Sequence, residues 1–138
     1  MTSYDALQQI DELRSLGHEV ELHLDGGLHQ TMPIGQKEAL DRQRQIIEAV
    51  LCRPINGFSA HEPARMGGID VADRTMHRWG VRYHAYEPRF MMPAIKYLSD
   101  SGARWREGHF REWVGRADHL HVLIHPIWWF NTLPQENY

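Results

Sequence analysis

The sequence predicts an α/β fold with a mostly parallel sheet. One observation is that strand-like and helix-like segments alternate from end to end of the 138 residues. A second is the segment "LHVLIH" at 120–125, which is apolar and β-branched and lies between a charged stretch and Pro126. Such alternation favours βα units, in which successive strands run parallel.

The first half of the chain predicts two helices around one strand. Thr2 and Ser3 can cap a first helix, which we expect to end at Gly17. Residues 18–24 alternate between polar and apolar and predict a strand. After a glycine-rich loop, apolar residues recur at helical spacing over 36–51, and Pro54 follows.

The second half predicts more strands than helices. A helix is expected over 70–79, closed by Gly80, and a short one over 109–115. The polar tail from about 131 is expected to be loose. Strands are predicted at "INGFSA" (55–60), "VRYHAY" (81–86), "IKYLS" (95–99) and "LHVLIH".

Length and composition predict one domain spanning 1–138. The net charge of -3 gives no bulk attraction to nucleic acid or to an anionic membrane surface. Cys52 is the single cysteine, so an intrachain disulfide is excluded. No run approaches the roughly 18 apolar residues of a membrane span, and the N-terminus lacks a signal-peptide pattern. We therefore expect a cytoplasmic protein without a nucleic-acid or membrane partner.

Ten histidines are the one unusual feature of the composition. Histidine is the commonest metal ligand and titrates near neutral pH. Parallel strands place ligand sites at their C-terminal ends, and His23 and His125 both lie at or near such predicted ends. We expect these two side chains to converge on one pocket.

Four segments resemble motifs of the NodB-homology polysaccharide deacetylases. "LRSLGHEVELHLD" (13–25) is similar to the family's second motif, in which a helix ends in glycine and a strand reads G-H-E-I-x-x-H. The later motifs are resembled, in the same order, by "QRQIIEAVLCRPINGFSAHEP" (43–63), "YLSDSGARWREG" (97–108) and "LHVLIHPIWW" (120–129). The last two resemble a divergent branch of the superfamily.

This resemblance implies an irregular (β/α) barrel and a metal-dependent carbohydrate deacetylase that acts on N- or O-acetyl groups. His23 matches the family's metal-binding histidine, and the metal is expected to be divalent, most simply zinc. His125 matches the histidine of the final L-x-H motif, which is a general acid. The expected partner is a carbohydrate substrate.

Two departures from the family pattern shape further expectations. The first motif, a strand ending in two aspartates, should precede residue 1, so the barrel is expected to lack its first strand. A missing strand leaves a sheet edge to cover, and we expect a homodimer or a fragment of a longer protein. Gly27 occupies the position of the family's next histidine ligand.

Other residues can complete the site, each with an ordinary structural alternative. His61 can replace the missing ligand or can bond to backbone, and His29 is a weaker substitute. Asp25 can bind metal, orient a ligand or form a turn. Asp100 can orient a catalytic group or stabilise the "SDSG" turn.

Three residues are predicted to contact substrate. Arg104 and Trp105 are candidates for the wall of the site, and Trp128 or its neighbour Trp129 for stacking on a sugar ring. Adjacent tryptophans more often divide between core and surface. His77, His109 and His119 are expected to have no chemical role.

Two other functions remain open at this point. The missing aspartates favour a non-catalytic deacetylase-like domain that binds sugar or metal without turnover. The third possibility is an unrelated histidine-rich α/β protein. A large distance between His23 and His125 would favour this interpretation.

Overall fold

The computed structural model describes residues 3–129. The chain divides into two compact units, one ending at Glu87 and the other beginning at Pro88. The single domain expected over 1–138 stays a prediction. The side chains of Thr2 and Ser3, which were expected to cap the first helix, lie outside the described part of the chain. The tail from 131, which was expected to be loose, lies outside it as well.

The first unit contains a three-stranded parallel sheet and four helices. The sheet order is β1-β2-β3, with Leu22 opposite Phe58 and Phe58 opposite His84. The elements in chain order are α1 (Ser3–Ser15), β1 (Leu22–Asp25), α2 (Gln36–Leu51), β2 (Gly57–His61), α3 (Pro63–Met66), α4 (Ile69–Trp79) and β3 (Tyr83–His84).

The second unit contains two parallel strands and several single turns of 3₁₀ helix. Strand β4 (Ile95–Ser99) pairs with β5 (His119–Leu123) along its whole length, from Ile95 opposite His119 to Ser99 opposite Leu123. The 3₁₀ turns lie at Pro88–Phe90, Phe110–Glu112 and Pro126–Trp129.

Several predicted elements are confirmed. The helix over 36–51 and the strand over 95–99 have the predicted bounds, and every strand pair described is parallel. Gly80 ends α4 in the left-handed conformation, with φ 66°. The strands described form two separate parallel sheets, and the predicted barrel stays a prediction. The homodimer also stays a prediction, because the structure contains one chain.

Several predicted elements have the wrong extent. The strand expected over 81–86 is only Tyr83–His84, and the one expected over 120–125 is His119–Leu123. The helix expected over 109–115 is only the 3₁₀ turn Phe110–Glu112. The strand expected over 18–24 begins at Leu22 instead. Before Leu22, the carbonyl oxygen of Val20 accepts a hydrogen bond from the side chain of Arg53 at 2.8 Å. This carbonyl therefore has a partner without a neighbouring strand.

Acidic side chains join the N-terminal ends of the strands. Glu21 forms an ion pair with Arg53 at 2.9 Å and accepts a hydrogen bond from the backbone N–H of Asn56 at 2.9 Å. Glu19 accepts one from the Tyr83 hydroxyl at 2.9 Å. Burial raises the pKa of Tyr83, and the hydrogen bond to Glu19 raises it further. These contacts stabilise the end of the sheet opposite to the strand C-termini.

The core of the first unit lies between the sheet and its helices. Leu24 and Phe58 from the sheet pack with Leu40 and Leu51 of α2, and each is at most 2% exposed. Met66 is fully buried beside Gly26, where a Cβ atom would lie 2.3 Å from the Met66 Cβ. Only glycine therefore fits directly after β1.

None of the helices within residues 3–129 is both long enough and apolar enough to cross a membrane.

Candidate functional site

Two predicted catalytic residues are hydrogen-bonded to each other at the end of the β4–β5 pair. Asp100 directly follows β4, and His125 lies two residues after β5. Because the two strands are parallel neighbours, their C-terminal ends bring the side chains together. Nδ1 of His125 lies 2.6 Å from Oδ1 of Asp100.

The carboxylate of Asp100 is held in a buried position. The backbone N–H of His125 donates to both of its oxygens at 3.0 Å, and its side chain is 3% exposed. Its backbone N–H donates to Leu123 at 3.3 Å, and its carbonyl accepts from Arg104 at 3.3 Å. Asp100 thus forms the turn after β4 and also fixes the imidazole of His125.

The arrangement leaves one nitrogen of His125 for chemistry. The carboxylate accepts the proton on Nδ1, which selects the tautomer and orientation of the ring. The side chain of His125 is 33% exposed, so Nε2 can exchange a proton with a bound molecule. A buried carboxylate, an oriented imidazole and an accessible second nitrogen are what general acid or base catalysis requires.

A second histidine pair lies at the C-terminal ends of β1 and β2. Nε2 of His23 is 3.3 Å from Nδ1 of His61, and the two rings meet edge to face. His61 is opposite Asp25 in the strand register, so the two imidazoles contact diagonally across neighbouring strands. His23 is exposed and His61 is half-buried.

The spacing of this pair fits two ligands of one metal ion. Tetrahedral zinc with Zn–N bonds of about 2.0–2.1 Å holds two ligand nitrogens about 3.3–3.4 Å apart. Catalytic zinc sites use three protein ligands. Within residues 3–129, no group of three or more histidine, cysteine, aspartate or glutamate side chains is placed to hold a metal ion. In the structure the two nitrogens are within hydrogen-bonding distance of each other, and the same distance fits part of a zinc site.

The two weaker ligand candidates are engaged in local structure. Asp25 accepts a hydrogen bond from the backbone N–H of Gly27 at 2.8 Å, which is the turn role considered for it. Its own backbone N–H and carbonyl pair with the side-chain amide of Gln43 at 2.8 and 2.9 Å. His29 contacts the carbonyl of Gly26 through Nδ1 at 3.0 Å.

The predicted substrate residues are all in the second unit. The backbone N–H of Arg104 contacts Asp100, and its side chain is exposed. Trp105 is half-buried and lines a cavity beside β4. Trp128 is 39% exposed, and its backbone N–H donates to the carbonyl of His125 at 3.1 Å. The side chain of Trp129 lies outside the description.

A further histidine–aspartate pair was not predicted. His84, at the end of β3, is 0% exposed, and its Nε2 lies 2.8 Å from Oδ1 of Asp73. Its Nδ1 accepts from the backbone N–H of Tyr86, so Nε2 carries the proton. The strand-like pattern of 81–86 placed His84 near a strand end, but nothing in the sequence linked it to Asp73. Because both ring nitrogens of the fully buried His84 are engaged, we assign this pair a structural role, although the Asp73 side chain is 45% exposed.

His109 also has a structural role. Its ring accepts a hydrogen bond from the backbone N–H of Arg111, and Glu112 accepts one from the backbone N–H of His109. This capping box starts the 3₁₀ turn.

No protein-family model matches the chain, and no curated protein or solved structure is similar to it at a significant level. The deacetylase resemblance therefore stays a prediction, and functional inference depends on the two side-chain pairs. His23 and His125 belong to different units, and their convergence stays a prediction as well.

Proposed function

We propose that this protein is a metal-dependent, deacetylase-like hydrolase that removes N- or O-acetyl groups from a carbohydrate. The observation that carries the proposal is the 2.6 Å contact between His125 and the buried carboxylate of Asp100. An imidazole fixed in this way is suited to give a proton to a leaving amine or alkoxide. The order of the four motif-like segments supports the same reaction class.

The role of the second pair is to hold the metal. His23 and His61 would supply two imidazole ligands, and their nitrogen spacing fits zinc. Zinc bound there would lower the pKa of a water molecule and polarise the acyl carbonyl. Water would complete the coordination.

His125 and Asp100 would supply the proton for the leaving group. The protonated Nε2 of His125 donates to the leaving group as the bond to the acyl carbon breaks. Asp100 stabilises the ring in its cationic form through the bond to Nδ1.

The experiment is an acetate-release assay on the purified full chain with added zinc and acetylated amino-sugar oligomers. We expect release with zinc and none with a chelator. His125→Asn and His23→Ala should both abolish it, whereas His77→Asn, an exposed helical histidine, should leave it unchanged. Acetate release that is insensitive to chelator and to the variants would contradict the proposal.

A second candidate function is a non-catalytic domain that binds sugar or metal without turnover. The absence of a third metal-binding side chain near His23 and His61, within residues 3–129, favours it. Such a domain would bind zinc through His23 and His61 but would release no acetate from any acetylated sugar. Elemental analysis together with the acetate assay distinguishes the two functions.

A further inference from the structure

A small cavity lies beside β4 in the second unit. Its volume is about 140 Å³, well below the roughly 300–1,000 Å³ of sites for drug-sized ligands. It therefore admits one ring-sized group. On one side it is lined by Tyr97, Leu98 and Ser99 of β4, and on the other by Trp105, Arg106, Glu107 and Gly108.

Contacts behind the two aromatic walls hold them in place. The ring of Tyr97 packs edge to face with His121 of β5, with 5.1 Å between centroids. The Trp105 ring lies 5.0 Å from the ring of His109 and 5.6 Å from that of Phe110. Since neither ring depends on a ligand for its position, the cavity is preformed.

The polar rim is fixed as well. The indole N–H of Trp113 donates to the carbonyl of Glu107 at 2.9 Å, and the carboxylate of Glu107 forms an ion pair with Lys96. Gly108 adopts φ +84°, and a Cβ atom there would lie 2.8 Å from the Glu112 carboxylate. Glycine adopts this left-handed conformation without strain, and a side chain there would displace the Glu112 carboxylate.

The lining suits a ring with hydroxyl groups. Arg106 and Glu107 supply one charge of each sign, and the carboxylate of Glu107 is already paired with Lys96. Both groups can hydrogen-bond to hydroxyls, whereas the Ser99 hydroxyl is already bonded to the Ser101 hydroxyl at 2.7 Å. The indole of Trp105 offers an apolar face, which matches the C–H face of a pyranose.

We infer that this cavity binds a single sugar ring and so holds one residue of the carbohydrate substrate. The inference rests on the proposed function for its choice of carbohydrate, but it is a statement about equilibrium binding. It can therefore be tested without metal and without turnover.

The test uses the full chain with ¹⁵N-labelled tryptophan, in chelator. The five tryptophans give separate indole N–H signals, and Trp105→Phe identifies that of Trp105. Methyl N-acetylglucosaminide should shift the Trp105 signal in a saturable way and leave that of the buried Trp79 unchanged. Sorbitol, a polyol without a ring, should not shift it.

Two variants measure the contribution of the walls. Trp105→Ala removes the reporting signal, so its binding is measured by calorimetry. Its dissociation constant should rise by about tenfold or more, since a stacked aromatic ring is lost. Arg106→Ala should raise it several-fold. Arg106 is exposed, so this variant should keep the fold and carries the test if Trp105→Ala unfolds. Arg116→Ala, another exposed arginine that does not line the cavity, should bind as the parent does.

The outcomes separate this inference from the proposed function. Saturable binding that Arg106→Ala weakens and Arg116→Ala does not supports the sugar site, even if the chain releases no acetate. An unmoved Trp105 signal, or an equal shift with sorbitol, overturns it. Acetate release without such binding would leave the hydrolase proposal standing and this inference refuted.

Discussion

Nδ1 of His125 lies 2.6 Å from a carboxylate oxygen of Asp100, and the same carboxylate accepts the backbone N–H of His125 through both oxygens. One buried anion therefore fixes both the backbone and the side chain of His125. This double contact ties the geometry of the candidate acid to the packing of the β4–β5 pair, and it leads to the first prediction.

Asp100→Asn should impair catalysis more than folding. An asparagine oxygen can still accept from the backbone, but the charge that stabilises the protonated imidazole is lost. Acetate release should fall by about 10²–10⁴-fold, the usual contribution of general acid catalysis. Unfolding in urea should show a loss of about 1–3 kcal/mol.

Asp73→Asn is the matched control for this variant. It alters the other histidine–aspartate pair, in which His84 is 0% exposed. Acetate release should not change in this variant. Equal losses of activity in the two variants would show that Asp100 has only a structural role.

Gly27→His should strengthen zinc binding. Gly27 follows β1 by two residues and has φ −92°, which any residue can adopt. A Cβ atom there would lie 2.9 Å from the Arg65 guanidinium, the end of a flexible side chain that can move. A third imidazole near His23 and His61 should lower the zinc dissociation constant by at least tenfold, measured by calorimetry.

Gly27→Ala is the control, since it adds the Cβ atom without a ligand. Its zinc affinity should match that of the parent chain. If Gly27→His bound zinc no better than Gly27→Ala, residue 27 would not belong to a metal site.

Gly26→Ala should destabilise the first unit. The added Cβ atom would lie 2.3 Å from the Cβ and 2.6 Å from the Cα of Met66, which is fully buried. Backbone must move to relieve this overlap, at a cost of about 1–3 kcal/mol or more. Gly35→Ala meets nothing within 4 Å and should change the urea midpoint little.

Acid should weaken the contact between α2 and α4. Burial tends to raise the pKa of Asp41, but hydrogen bonds from Trp79 and Lys37 and the charges of Arg78 and Lys37 outweigh it, so the pKa is lowered. A carboxyl group whose pKa is lower in the folded state stabilises the fold above its unfolded value of 3.8. That contribution disappears as the pH falls below 3.8 through the folded pKa.

The matching experiment compares urea midpoints of the parent chain and Asp41→Asn between neutral pH and pH 3. The two curves should differ at neutral pH and converge in acid. A constant difference across that range would mean that the charge of Asp41 is not what stabilises the contact.

The sequence by itself determined the local elements whose patterns are long or strongly apolar. The helical spacing over 36–51 and the strand-like segment "IKYLS" predicted their bounds correctly, because burying an apolar face requires a regular spacing of apolar residues. The same logic placed His23, His61, Asp100 and His125 near strand ends. It failed over 18–21, where the side chain of Arg53, distant in sequence, donates a hydrogen bond to the carbonyl oxygen of Val20.

Only the tertiary structure decided which of these side chains meet. Asp100 could have been an ordinary turn residue, and the register of β4 against β5 puts it against His125. His61 could have bonded to backbone, and the register of β1 against β2 puts it against His23. A spacing along the chain constrains neighbours within a few residues, whereas these contacts join residues 25 and 38 positions apart. Strand pairing sets such distances, and a single sequence does not reveal that pairing.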